Sequence, residues 1–204
     1  RYTNSPETGT PLPSPDPTTL DVLSVNLQEN ADRQPIPYIT PPSVVREQLY
    51  NNNTIINQNE QSLSLRVTGT SGLAQNDSRA VFKNISMDMR QFKNIKMFLH
   101  AESAGQELGD NQMSAFLRFG NDFTQNYYEV ELPLKVTSPI DANTAEKVWP
   151  VENNLDLPLD LLTKIKILAM SATDAELSDQ GVYSKFDYEV DQNVSAENSR
   201  IKVS

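Results

Sequence analysis

From residue 60 onward, apolar and polar residues alternate along much of the chain, and a period of two predicts strands. In Gln61–Val67, Leu63, Leu65 and Val67 alternate with Ser62, Ser64 and Arg66, as on a half-buried strand. Asn94–Ala101 sets Ile95, Met97, Leu99 and Ala101 against Lys96, Phe98 and His100. Met113–Phe119 sets Met113, Ala115, Leu117 and Phe119 against Ser114, Phe116 and Arg118. Tyr127–Leu134 is the most regular run, with Tyr128, Val130, Leu132 and Leu134 inward and Tyr127, Glu129 and Glu131 outward. Arg79–Phe82, Val182–Val190 and Ile201–Val203 add shorter strands, and Leu20–Leu27 an earlier one.

One stretch changes period. Between Pro158 and Met170, apolar residues at 158, 161, 162, 165, 168 and 169 follow helical spacing, so a short helix is expected over about 158–170. Asp156 stands just ahead of Pro158, suited to cap it. Nine of the 13 prolines fall before residue 43. Proline removes backbone donors and disfavours helix at the residue before it, which predicts an extended N-terminal segment, 1–45, with a short strand near 20–27. Residues 28–59 read as an Asn-rich connection. Many short strands with turn-rich joins and one helix indicate an antiparallel β-sandwich over 46–204.

Composition narrows the chemistry. The 204 residues carry 17 Lys and Arg against 27 Asp and Glu, a net charge of −10. Nucleic acid and anionic lipid call for a basic stripe, so neither is an expected partner. The absence of cysteine excludes disulfides, thiolate nucleophiles and cysteine metal sites. A single histidine excludes a multi-histidine metal site. No run approaches the ~18 apolar residues of a membrane helix. The start at Arg1-Tyr-Thr-Asn, without an apolar leader, reads as a piece cut from something longer.

Few residues remain as candidates for chemistry. His100 as a general base would need a nucleophile and an orienting acid, which the sequence does not place beside it. Glu129 and Glu131 stand about 7 Å apart by strand rise, a spacing glycosidases use, but outward glutamates are ordinarily there for solvation. Asp110-Asn111 and Gly120-Asn121-Asp122 offer oxygen ligands for a structural calcium ion, and turn chemistry accounts for the same residues. No catalytic residue, metal ligand or cofactor is assigned. If 94–101, 113–119 and 127–134 share a sheet, its second face carries Phe98, His100, Phe116, Arg118 and Tyr127. Aromatic rings with an arginine suit a partner protein or a glycan.

Several runs bear a family likeness: Asn59-Glu-Gln-Ser-Leu-Ser-Leu-Arg-Val67, the stretch from Ser78 to Glu102, and Val148-Trp-Pro-Val-Glu-Asn-Asn-Leu-Asp-Leu157, with Tyr38-Ile-Thr-Pro-Pro42 and Arg46-Glu47 more loosely. Over about 38–166 the chain resembles the SprA/Sov family, outer-membrane translocons of the type 9 secretion system tied to gliding motility. The resemblance implies one soluble domain inserted in a very large β-barrel at the outer membrane or cell surface of a Gram-negative bacterium. Its partners would be the rest of the barrel, secretion-system proteins or cargo, and it would not be an enzyme. A second likeness, in the order of strands, Trp149 and the Leu-rich helix, is to galactose-binding-type jelly rolls. The alternative function it implies is a carbohydrate-binding module.

Overall fold

The computed structural model describes residues 18–51, 54–69, 73, 78–105, 107–121, 127–171 and 200–203. The described residues are mainly strand with few helices, the five strand pairs among them are antiparallel, and the chain divides into two compact units, 1–86 and 87–204. The border expected at 45/46 lies inside the first of these.

In the first unit, β1 (Thr19–Asn26) pairs along its whole length with β4 (Gln61–Thr68), from Thr19 opposite Thr68 to Asn26 opposite Gln61. Asn26 ends β1 and starts a one-turn helix, α1 (Leu27–Asn30). Its Oδ1 accepts the Glu29 N–H at 2.9 Å, and its Nδ2 donates to Glu29 Oε2 at 2.8 Å. With the Asn26 N–H donating to Asn30 Oδ1 at 2.9 Å, two backbone donors are satisfied where the strand turns into the helix. The Asn-rich stretch, read as connection, contains a hairpin of β2 (Gln48–Asn51) and β3 (Thr54–Asn57). Leu20, Ile36 and Tyr38 are buried. The Tyr38 hydroxyl donates to Glu60 Oε1 at 2.6 Å, which leaves Ser62 to donate to the phenol oxygen at 2.7 Å. Burial first, and the Glu60 carboxylate second, push the Tyr38 phenol above its ordinary range. The Tyr38–Pro42 run is thereby tied to β4.

One expectation fails here. Leu63 and Leu65, assigned to the inward side of β4, are exposed, as is Val22 opposite Leu65. Among the described residues β4 pairs only with β1, and a two-stranded ribbon gives alternating side chains no second layer to enter.

In the second unit, β5 (Asn94–Met97) pairs with β8 (Leu155–Pro158), while β6 (Ser114–Gly120), β7 (Tyr127–Pro133) and β9 (Arg200–Val203) form a sheet in that order. Between them lies a one-turn helix, α2 (Ala145–Val148), and β8 runs straight into α3 (Leu159–Ser171). The core joins Val130 of β7, Leu155 and Leu157 of β8, and Leu161 and Leu162 of α3. Ile95, Leu117, Phe119, Tyr128 and Leu159 pack around it, so both sheets and the helix share one apolar interior. Val130, Leu132 and Leu134 are inward as their alternation requires.

Three further expectations change. The strand read over 94–101 stops at Met97 and pairs with β8, so β5 does not share a sheet with β6 and β7. Asp156 does not cap α3; it sits within β8, where its carboxylate accepts from Asn94 Nδ2 at 2.6 Å and Lys96 Nζ at 2.8 Å. Only Ala80 of Arg79–Phe82 takes part in a bridge. The strand read over Val182–Val190 lies outside the described residues.

Candidate functional site

The five candidate residues fall into two groups. Phe116, Arg118 and Tyr127 come together on one face of the β6–β7 pair. Register puts Arg118 opposite Glu129 and Gly120 opposite Tyr127. Because Gly120 has no side chain, the Tyr127 ring can reach diagonally to Arg118, whose guanidinium carbon lies 4.0 Å from the Tyr127 ring centre and 5.8 Å from that of Phe116. Arg118 Nε donates to Glu129 Oε2 at 2.7 Å, and Nη2 donates to the same oxygen. The two side chains are 6% and 2% exposed. Glu129 is therefore not the solvated outward glutamate its position suggests, but one half of a buried ion pair. Glu131 lies opposite Phe116 and Glu129 opposite Arg118, so the two glutamates are not left as a free acid pair.

Phe98 and His100 lie elsewhere, in the segment after β5. His100 Nδ1 donates to the Val148 carbonyl at 2.7 Å, and Nε2 faces Glu102 Oε2 at 3.2 Å. The ring meets Trp149 edge-on at 5.7 Å between centres. Thr137 lies against the same group, with its N–H donating to the Ala101 carbonyl at 2.8 Å and its hydroxyl 3.3 Å from His100 Nδ1. These contacts pin three segments distant in sequence: 98–102, the strand exit at 135–137 and α2 with Trp149.

Sequence reasoning passed over the polar residue buried most deeply among the described residues of this unit. Asn153 is 0% exposed, its Oδ1 accepts the Lys135 N–H at 2.7 Å, and its Nδ2 donates to the Lys135 carbonyl at 2.8 Å. The side chain thus replaces a neighbouring strand for one residue beyond β7. An amide amid the apolar residues Val148, Trp149, Val151, Leu155 and Leu157 was the available signal. In that run Trp149 packs on His100, Asn153 braces Lys135, and Leu155 and Leu157 enter the core. Asp110 braces the next residue in the same way, its Oδ1 accepting the Val136 N–H at 2.8 Å. The Asn111 N–H donates to the Leu134 carbonyl at 2.8 Å, from a left-handed φ of 62° that Asn tolerates. Asp122, the other calcium candidate, lies outside the described residues. No three His, Asp or Glu side chains converge among the described residues.

Two ion pairs near the surface contribute to the acid response. The Lys96 ammonium, helped by Asn94, holds the Asp156 carboxyl below its ordinary range, and Lys135, 2.8 Å away, does the same for Glu152. A depressed carboxylate contributes stability above its unfolded pKa of about 4, and that stability is lost as the pH falls through the lower folded value. Stability should accordingly decline below about pH 4. In urea unfolding from pH 6 to pH 3, a Lys96→Met/Lys135→Met variant should show a shallower decline, with each pair contributing under about 1 kcal/mol because solvent screens it. An unchanged slope would refute the assignment.

The described residues form an antiparallel, mainly-β protein whose buried polar side chains brace loops and strand ends. The chain belongs to the SprA_N family, described as motility related/secretion protein, which matches residues 7–198. No curated protein matches the chain. No helix among the described residues is long and apolar enough to cross a membrane.

Proposed function

We propose that the chain is a soluble, non-enzymatic domain of a SprA-like outer-membrane translocon, contributing to the architecture of the barrel mouth or to partner docking in type 9 secretion and gliding motility. The observation that carries this reading is family membership over residues 7–198. The destination of the polar clusters supports it: Asn153 and Asp110 bind backbone, His100 bridges segments and Arg118 meets Glu129, all holding structure. On this reading the second unit is a β-sandwich of jelly-roll type, for which the core shared by the β5–β8 and β6–β7 pairs speaks. Its partners are the parent barrel and secretion-system proteins or cargo. The carbohydrate-binding alternative draws less support, because the guanidinium that would donate to sugar hydroxyls is already committed to Glu129.

Deleting residues 60–204 in frame from the longer parent is expected to impair cargo secretion while the barrel still assembles. Normal secretion with normal assembly would rule the reading out. Protease accessibility of a tag placed within residues 173–180, on intact cells, distinguishes the periplasmic from the external side.

A further inference from the structure

In the first unit, β1 and β4 form a ribbon of two strands of 8 residues each, and its register fixes which way the backbone groups point. Opposed residues of an antiparallel pair alternate between those that bond to each other and those whose N–H and C=O turn outward. The Leu27 N–H donates to the Glu60 carbonyl at 3.1 Å, one step beyond Asn26 and Gln61 in the same register. Val25–Ser62, Leu23–Ser64 and Asp21–Arg66 are then the bonded pairs, and Leu63, Leu65 and Val67 turn their backbone groups away from β1. Among the described residues, nothing bonds to those groups. Their side chains share one face, where Leu63 is 64% and Leu65 48% exposed. The β1 edge differs: the outward Asn26 N–H is taken by Asn30 Oδ1, and Leu20 is buried. Native edge strands are ordinarily blunted by proline, lysine, a bulge or a cover, and among the described residues β4 has none of these.

We propose that β4 pairs with β4 of a second copy of this chain, antiparallel about a two-fold axis at Leu65, to give a sheet in the order β1-β4-β4-β1. Sequence, charge and closure each select a second copy. That register sets Leu65 opposite Leu65 and Leu63 opposite Val67, so each of these apolar residues meets an apolar one. On the other face Arg66 meets Ser64, and no like charges stand opposed. Asp21 and Arg66 are the only charged residues of the two strands and cancel, so copies of a chain with net charge −10 approach here without added repulsion. The partly covered β1 edge disfavours further growth, and a two-fold pairing of one edge with itself closes at two copies. The inference goes beyond the translocon reading and does not depend on it.

The chain has no cysteine, so a single introduced thiol reports only contact between copies. Leu65→Cys should form a covalent dimer on mild oxidation, because the two-fold register sets the two Cα atoms about 5.5 Å apart, within disulfide reach. Ser64→Cys faces Arg66 instead of itself, and Ile140→Cys stands at a site 90% exposed in the second unit. Both should crosslink at least ~10-fold more slowly than Leu65→Cys, since neither thiol is held near its copy. Amide exchange of the unaltered chain supplies the second readout. From dilute to concentrated solution, the N–H groups of Leu63, Leu65 and Val67 should slow roughly tenfold, while those of Ser62, Ser64 and Arg66, already bonded to β1, stay as they are. Leu65→Lys, a change at an exposed position, should abolish that concentration dependence while the protection of Ser62, Ser64 and Arg66 shows the ribbon intact. A monomer at every concentration, with Leu63, Leu65 and Val67 exchanging freely, would overturn the inference. Protection of these three that is independent of concentration would overturn it too, since another segment of the chain would then cover the edge. So would equal crosslinking at 64, 65 and 140, which is what random collision produces.

Discussion

Replacing Arg118 by Met is expected to lower the unfolding free energy of the chain by about 3–5 kcal/mol, the range for removing one partner of a buried ion pair. The cause is what remains behind. Glu129 is 2% exposed and accepts two bonds from Arg118 on one carboxylate oxygen, so the variant strands a charge where water does not reach it. Loss of the guanidinium from beside Tyr127 adds a smaller cost. Arg118→Met/Glu129→Leu should recover most of the loss, since two apolar side chains of similar volume leave nothing unpaired. Lys135→Met, which breaks an exposed pair with Glu152, should cost under about 1 kcal/mol. Urea unfolding of the four proteins gives the comparison. An Arg118→Met variant as stable as Lys135→Met would mean that water reaches Glu129.

Asn153→Ala is expected to cost about 2–4 kcal/mol, because it orphans one backbone donor and one backbone acceptor of Lys135 together. The side chain is wholly buried, so truncation also leaves a small void behind β8. Asn153→Asp keeps the acceptor for the Lys135 N–H but loses the donor and buries a charge, and should be no better than Ala. The effect should be local as well as global. Amide exchange at Lys135 and Val136 should accelerate more than exchange in β6, because Asn153 serves the strand exit and not the β6–β7 ladder. Equal acceleration throughout the unit would show that Asn153 acts only through packing.

Much of the second unit was legible because its signals are local. The alternation in Tyr127–Leu134 marks β7 and its inward side, and the helical spacing over 158–170 corresponds to α3 at Leu159–Ser171. Each depends on residues within a few positions of one another, which is where periodicity holds information. The site was less legible. Phe116, Arg118 and Tyr127 could be grouped from β6 and β7 alone, since those strands are close in sequence and meet as an antiparallel pair. Phe98 and His100 could not, because their grouping assumed that β5 lies beside β6, whereas its partner is β8, some 60 residues away.

By itself, then, the sequence determined that the chain is mainly β with a late helix, that cysteine chemistry is absent, and which side of β7 faces inward. Alternation, composition and proline placement act through neighbouring residues and need no knowledge of the fold. The tertiary structure alone decided which polar residues are buried and what they hold. Glu129 has an outward-facing pattern yet lies under Arg118, while Leu63 and Leu65 have an inward-facing pattern yet meet solvent. A period of two distinguishes the faces of a strand but not which face another layer will cover. That is settled by contacts between segments far apart in the chain, as when His100 reaches the carbonyl of Val148 and Asn153 reaches the backbone of Lys135.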